Sequence, residues 1–96
     1  MIEAISTDEF VGWLRGLRDR TAQKRISIRI ARFEAGLLGD VKYFRGIGEA
    51  RIDYGPGYRI YFQKRGNALI ILLCGGDKSA QRQDIETAIK LAKDYA

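Results

Sequence analysis

A strict two-residue alternation marks the middle of the chain. Ala50, Ile52 and Tyr54 alternate with Glu49, Arg51 and Asp53, and Tyr58, Ile60 and Phe62 alternate with Arg59, Tyr61 and Gln63. That is the period of strands with one apolar face. Between the two runs, Gly55-Pro56-Gly57 is a turn signal, two residues that tolerate positive φ around one whose φ is fixed. A three-residue loop pairs Tyr54 with Tyr58, Ile52 with Ile60 and Ala50 with Phe62. It also pairs Asp53 with Arg59 and Arg51 with Tyr61 on the second face. A slip of one residue would turn Ile60 to the polar side. Gly66-Asn67 makes the next turn, and Leu69 to Cys74 is a continuous apolar run, as expected of a central strand covered on both sides. The pattern predicts a three-stranded meander with one apolar face. The second face carries Arg51, Arg59 and Tyr61, with Lys78 just past the last strand and Cys74 opposite Arg59.

Helical periods flank this meander. Ser6 and Glu9 are spaced as a capping box, and Phe10, Trp13, Leu14 and Leu17 follow as one buried stripe. Trp13 belongs to that stripe, which favours core packing over base stacking. Asp19 and Thr21 cap a second helix that runs to about Ala35, where Gly36 ends it. Its apolar positions are Ala22, Ile26, Ile30 and Phe33, so the two helices form a hairpin laid across the apolar sheet face. Met1 to Ile5 and Val41 to Phe44 are candidate edge strands. After Gly75-Gly76-Asp77-Lys78-Ser79, a last helix carries Ile85, Ala88, Ile89 and Ala92 on its buried side. The expected fold class is α+β, a single domain over 1–96.

The net charge of +5 changes this picture, because it favours a polyanionic partner such as RNA or an acidic protein. Seven of the 17 basic residues lie between Arg15 and Arg32. They form either a solvated helix face or a surface laid along phosphates, with Lys24 and Arg25 as RNA contacts. The single cysteine, Cys74, fits a reducing cytosol, and no apolar stretch reaches the length of a membrane span. A cytoplasmic protein without membrane contact is expected.

With no histidine and one cysteine, a zinc site and the histidine-based nucleophilic triads are excluded; no metal or cofactor is expected. RNA cleavage is compatible with what is left. Its phosphorane-like transition state gathers negative charge that fixed guanidinium and ammonium groups stabilise. Arg59, Arg51 and Lys78 are the candidate catalytic residues, with Lys42, Tyr61 and Gln81 as further RNA contacts. Arg59 otherwise pairs with Asp53, Arg51 stacks on Tyr61, and Gln81 is an exposed first-turn residue. On the polar face, Arg59→Ala is expected to leave the fold intact.

The block GPGYRIYF, the apolar strand after it and LLCGGDKSAQRQDI resemble the RelE/ParE superfamily of toxins from toxin–antitoxin systems. The resemblance is closest to the HigB/RelE-like branch of addiction-module killer proteins, and FVGWLRGLRDRTAQKRISIRIARFEAGLLGDVKYFRGIGEARIDYG extends it over nearly the whole chain. It implies a helical hairpin and C-terminal helix packed on a mainly antiparallel four- to five-stranded sheet. It also implies a ribosome-dependent endoribonuclease acting on mRNA, neutralised by a cognate helix-turn-helix antitoxin from the adjacent gene. Operator DNA would be met only through the antitoxin complex. By this resemblance Arg59 is the phosphate-contacting arginine of the GYR motif, Arg51 a basic residue of the preceding strand, and Lys78 the basic residue after the last strand. The chain departs from the pattern in two places. A second basic residue is replaced by Asp53, and Asp84 stands nearest the position of the catalytic tyrosine. The alternatives are a ParE-like inhibitor of DNA gyrase, or an inactive member that binds its antitoxin and regulates its operon.

Overall fold

The computed structural model describes residues 1–95. It is an α+β arrangement of one five-stranded mixed sheet and three helices. In chain order these are β1 (Glu3–Ser6), α1 (Asp8–Gly16), α2 (Arg20–Glu34), β2 (Val41–Phe44), β3 (Ile47–Ile52), β4 (Tyr58–Arg65), β5 (Leu69–Gly76) and α3 (Gln81–Asp94). The strand order is β1-β5-β4-β3-β2, with β1 parallel to β5 and the other neighbours antiparallel. Both expected edge strands are therefore edges, and β5 is interior with Ile70 to Cys74 buried. Among the described residues no helix is long and apolar enough to cross a membrane.

The sheet is covered on both faces. Phe10, Ile26 and Phe33 of α1 and α2 pack with Ala50, Ile52, Ile60, Phe62, Ile70 and Leu72 in one cluster. Ala88 of α3 packs with Ile47, Tyr61, Ile71, Leu73 and Cys74 in the other. At the centre of the first, the Phe33 and Phe62 rings lie 5.0 Å apart. Gly48 sits opposite Phe62, and a Cβ there would run into that ring, so glycine is what lets the aromatic lie flat on β3.

The start of α1 differs from the expected capping box. Ser6 is the last residue of β1, paired with Leu72, and Thr7 is the cap. Its Oγ accepts from the Phe10 amide at 3.1 Å and donates to the Leu73 carbonyl at 2.5 Å. One hydroxyl thus satisfies an orphan helix donor and fixes the helix entry to the central strand. The cap of α2 is Asp19, which accepts from the Thr21 and Ala22 amides.

The meander register also differs from expectation, by two residues. Ile52 faces Tyr58, Ala50 faces Ile60, and Arg51 faces Arg59 directly. The even slip keeps every side chain on its expected face. Tyr54 leaves the strand because its hydroxyl donates to Asp19 at 2.8 Å and the Arg25 guanidinium lies 4.7 Å over its ring. Two contacts to α2 thus replace two strand pairings. A bulge between Tyr61 and Phe62 puts Cys74 opposite Tyr61 and Gly76 opposite Arg59, where Cys74 was expected.

Candidate phosphate-binding cleft

Arg51 and Arg59 are cross-strand neighbours on β3 and β4 and line a cleft at one end of the sheet. There the Gly55–Gly57 turn folds against the start of the C-terminal segment, the Lys78 amide donating to the Pro56 carbonyl at 3.3 Å. Gly57, at φ +77°, holds its Cα face toward both Lys78 and Arg59. The result is a cleft of about 510 Å³ lined by Arg29, Asp40, Arg51, Ile52, Asp53, Gly57, Tyr58, Arg59 and Lys78. The three sequence-predicted catalytic residues are therefore brought together.

Four cations meet two carboxylates in this cleft. Arg51 and Arg59 are direct cross-strand neighbours, a like-charge pairing that is unfavourable on its own. An anion bound between them removes that repulsion. Arg51 and Lys78 are exposed and free to reach a ligand. Arg29 is not, because its guanidinium donates to the carbonyls of Leu38, Arg51 and Asp40 at 3.2, 2.7 and 2.9 Å. Burial lowers its pKa first, and it acts as a clamp between α2, the 35–40 connector and β3. A second cleft of about 480 Å³ shares Arg29, Ile52 and Asp53 with the first and continues past Lys24, Arg25 and Arg32. The expected contacts Lys24 and Arg25 thus extend the basic path along α2.

Three other expected contacts lie elsewhere. Lys42 is exposed on the edge strand β2, opposite Glu49. Tyr61 has no exposed surface, so it offers a nucleotide nothing, and Arg51 does not stack on it. Gln81 is half-buried and donates from Nε2 to Glu49 at 2.9 Å, rather than standing free. For Tyr61 and Gln81 the reason is shared: α3 closes over the middle of the face that alternation assigned to solvent, while Lys42 stays outside it at the sheet edge.

The same closure buries Arg59, 6% exposed, and Glu49, 2% exposed. Arg59 pairs with Glu49, Nε to Oε2 at 3.6 Å, and not with Asp53. Its Nη1 donates to the Gly57 carbonyl at 3.0 Å. Glu49 Oε2 also accepts from the Tyr61 hydroxyl at 3.0 Å. Burial, then this bond, raises the Tyr61 pKa and keeps the phenol protonated. Glu49 is the polar residue that the sequence pattern missed; the only signal was an acid at the innermost position of an alternating strand.

Asp84 does not line the cleft. Its carboxylate sits against Gly76, where any Cβ would strike it. Oδ2 is buried without a hydrogen-bond partner, and burial, then the charge of Asp77, pushes its pKa up. Burial, then Asp84 and Glu9, pushes the Cys74 thiol up to about 12, which makes it a packing residue. Among the described residues, no group of three or more His, Cys, Asp or Glu side chains could hold a metal ion.

No family model matches the chain. It is 45% identical over 94 residues to an uncharacterized protein of Haemophilus influenzae (strain Rd), covering 97% of this chain and 95% of that one. The chain belongs to one family with that protein.

Proposed function

We propose that the protein is the toxin of a type II toxin–antitoxin system, of RelE/ParE type in its HigB/RelE-like branch, and acts as a metal-independent endoribonuclease on ribosome-bound mRNA. The observation that carries this reading is the convergence of Arg51, Arg59 and Lys78 on one cleft. The GYR arginine, the preceding-strand base and the base after the last strand come from separate stretches of the chain, and all three line this one cleft. Two helices ahead of the antiparallel strands and one after them, around a five-stranded sheet, support the same assignment.

In this reading the scissile phosphate lies between Arg51 and Lys78, with the buried Arg59 behind it. Charge that develops on the phosphorane oxygens is stabilised by cations already in place. The second cleft along Lys24, Arg25 and Arg32 takes neighbouring phosphates without reading sequence. The ribosome orients the 2′-hydroxyl in line. The antitoxin covers the cleft with an acidic segment, steered by the net charge of +5, and operator DNA is met through that complex.

Inhibition of DNA gyrase by a ParE-like surface is the second reading. It is favoured by one observation: Asp84, nearest the place of the catalytic tyrosine, is turned against Gly76 and away from the cleft. Induced expression separates the two. Rapid loss of translation with cleaved mRNA supports the ribonuclease, whereas filamentation, a DNA-damage response and intact mRNA support gyrase inhibition. Expression without growth arrest leaves an inactive, autoregulatory member.

A further inference from the structure

We propose that Glu49 is the positioning residue of the cleft, fixing the Arg59 guanidinium so that its Nη end is presented to a phosphoryl group. This rests on the phosphate-binding reading of the cleft. Arg59 is a buried cation whose Nε has no hydrogen-bond partner. The only carboxylate paired with it among the described residues is Glu49 at 3.6 Å. The Nη1 end is tied to Gly57, a cleft-lining residue, at 3.0 Å. One side of the guanidinium therefore faces a fixed anion and the other faces the cleft.

Glu49 is itself held. Tyr61 from β4 and Gln81 from the first turn of α3 both donate to Oε2, at 3.0 and 2.9 Å. Two neutral donors on one oxygen hold the carboxylate in place, without supplying a cation that would compete for it. A planar guanidinium beside a fixed carboxylate has few orientations open to it, and preorganisation of this kind is what a charge-stabilising site needs. Cross-strand repulsion from Arg51 would otherwise push the free guanidinium aside.

The test is made on the intact protein by NMR of the Arg59 Nε–Hε group, with binding of a short 2′-O-methyl RNA measured in parallel. In wild type the Nε–Hε signal is expected to exchange slowly with water. In Glu49→Gln it is expected to exchange fast or vanish, with RNA affinity weakened on the order of tenfold. Introduced into Arg59→Ala, the same change should leave RNA affinity unmoved, because the residue acts through Arg59. An unchanged Nε–Hε signal in folded Glu49→Gln, or equal losses in both backgrounds, overturns the proposal. If Glu49→Gln melts too low to measure, Glu49→Asp keeps the charge but withdraws it by one methylene, and carries the same two readouts. If wild type and Arg59→Ala bind RNA equally while the signal still depends on Glu49, the phosphate reading fails and the positioning role stands.

Discussion

The two faces of this sheet have the same strands and opposite chemistry. Under α1 and α2 the core is an apolar cluster, with the buried Thr7 hydroxyl only at the helix entry. Under α3, Glu49, Arg59 and Tyr61 are buried beside Ile71, Leu73 and Cys74. The first face is held by hydrophobic burial and close packing. The second encloses an ion pair whose desolvation largely offsets its Coulombic attraction. Such a face contributes less to stability than its burial suggests, and its charges are better accounted for by the cleft at its end.

Mutations should separate the faces. The largest effect is expected on the apolar side, where Phe33→Ala or Phe62→Ala removes one of two tilted, packed rings and costs about 3–5 kcal/mol in chemical denaturation. On the polar side, Arg59→Ala leaves Glu49 with two neutral donors, so a loss of about 3 kcal/mol, the low end for a broken buried pair, is expected. This corrects the expectation, drawn from alternation alone, that Arg59 is removable without harm to the fold. Removing both charges while keeping an acceptor for Tyr61 and Gln81, Glu49→Gln with Arg59→Met, should recover most of that loss while abolishing RNA binding. A double variant no more stable than Arg59→Ala would show that the polar face is structural in its own right.

Smaller effects sharpen the same contrast. Asp84 has its folded-state pKa raised by burial. A raised carboxyl pKa means the folded state binds more protons, so stability is lost as pH rises through that pKa. Relative to Asp84→Asn, wild type should lose melting temperature as pH rises from the ordinary carboxylate range toward neutrality. A constant difference across that range would place Asp84 in a better solvated site. The smallest signal is Cys74, whose thiol is buried and pushed up to about 12. Alkylation at mildly alkaline pH should require unfolding, and rapid labelling of the native protein would mean that α3 opens readily.

Much of this architecture was legible in the chain. Alternation placed Ala50, Ile52, Ile60 and Phe62 on one face, and turn residues located every strand boundary to within a few positions. The register was not legible, because the pairing of Tyr54 with Asp19 and Arg25 is a tertiary contact that no local pattern encodes. Nor was the burial of Glu49, Arg59 and Tyr61. A two-residue period says which side chains share a face, but says nothing of whether a helix from the far end of the chain will cover it. Arg51 and Lys78 escaped that helix and are exposed as expected; Gln81, on the helix itself, is drawn in to Glu49.

The proposed reaction is cleavage of ribosome-bound mRNA by the exposed cations at the cleft. It is tested most directly by mapping mRNA 5′ ends by primer extension after induction of wild type and of the Arg51→Ala/Lys78→Ala double variant. Both substitutions are at exposed positions, so the melting temperature should be nearly unchanged. The expected result is new 5′ ends within A-site codons for wild type, falling at least on the order of a hundredfold in the double variant. Intact mRNA in wild type, or cleavage undiminished in an equally folded double variant, would contradict it.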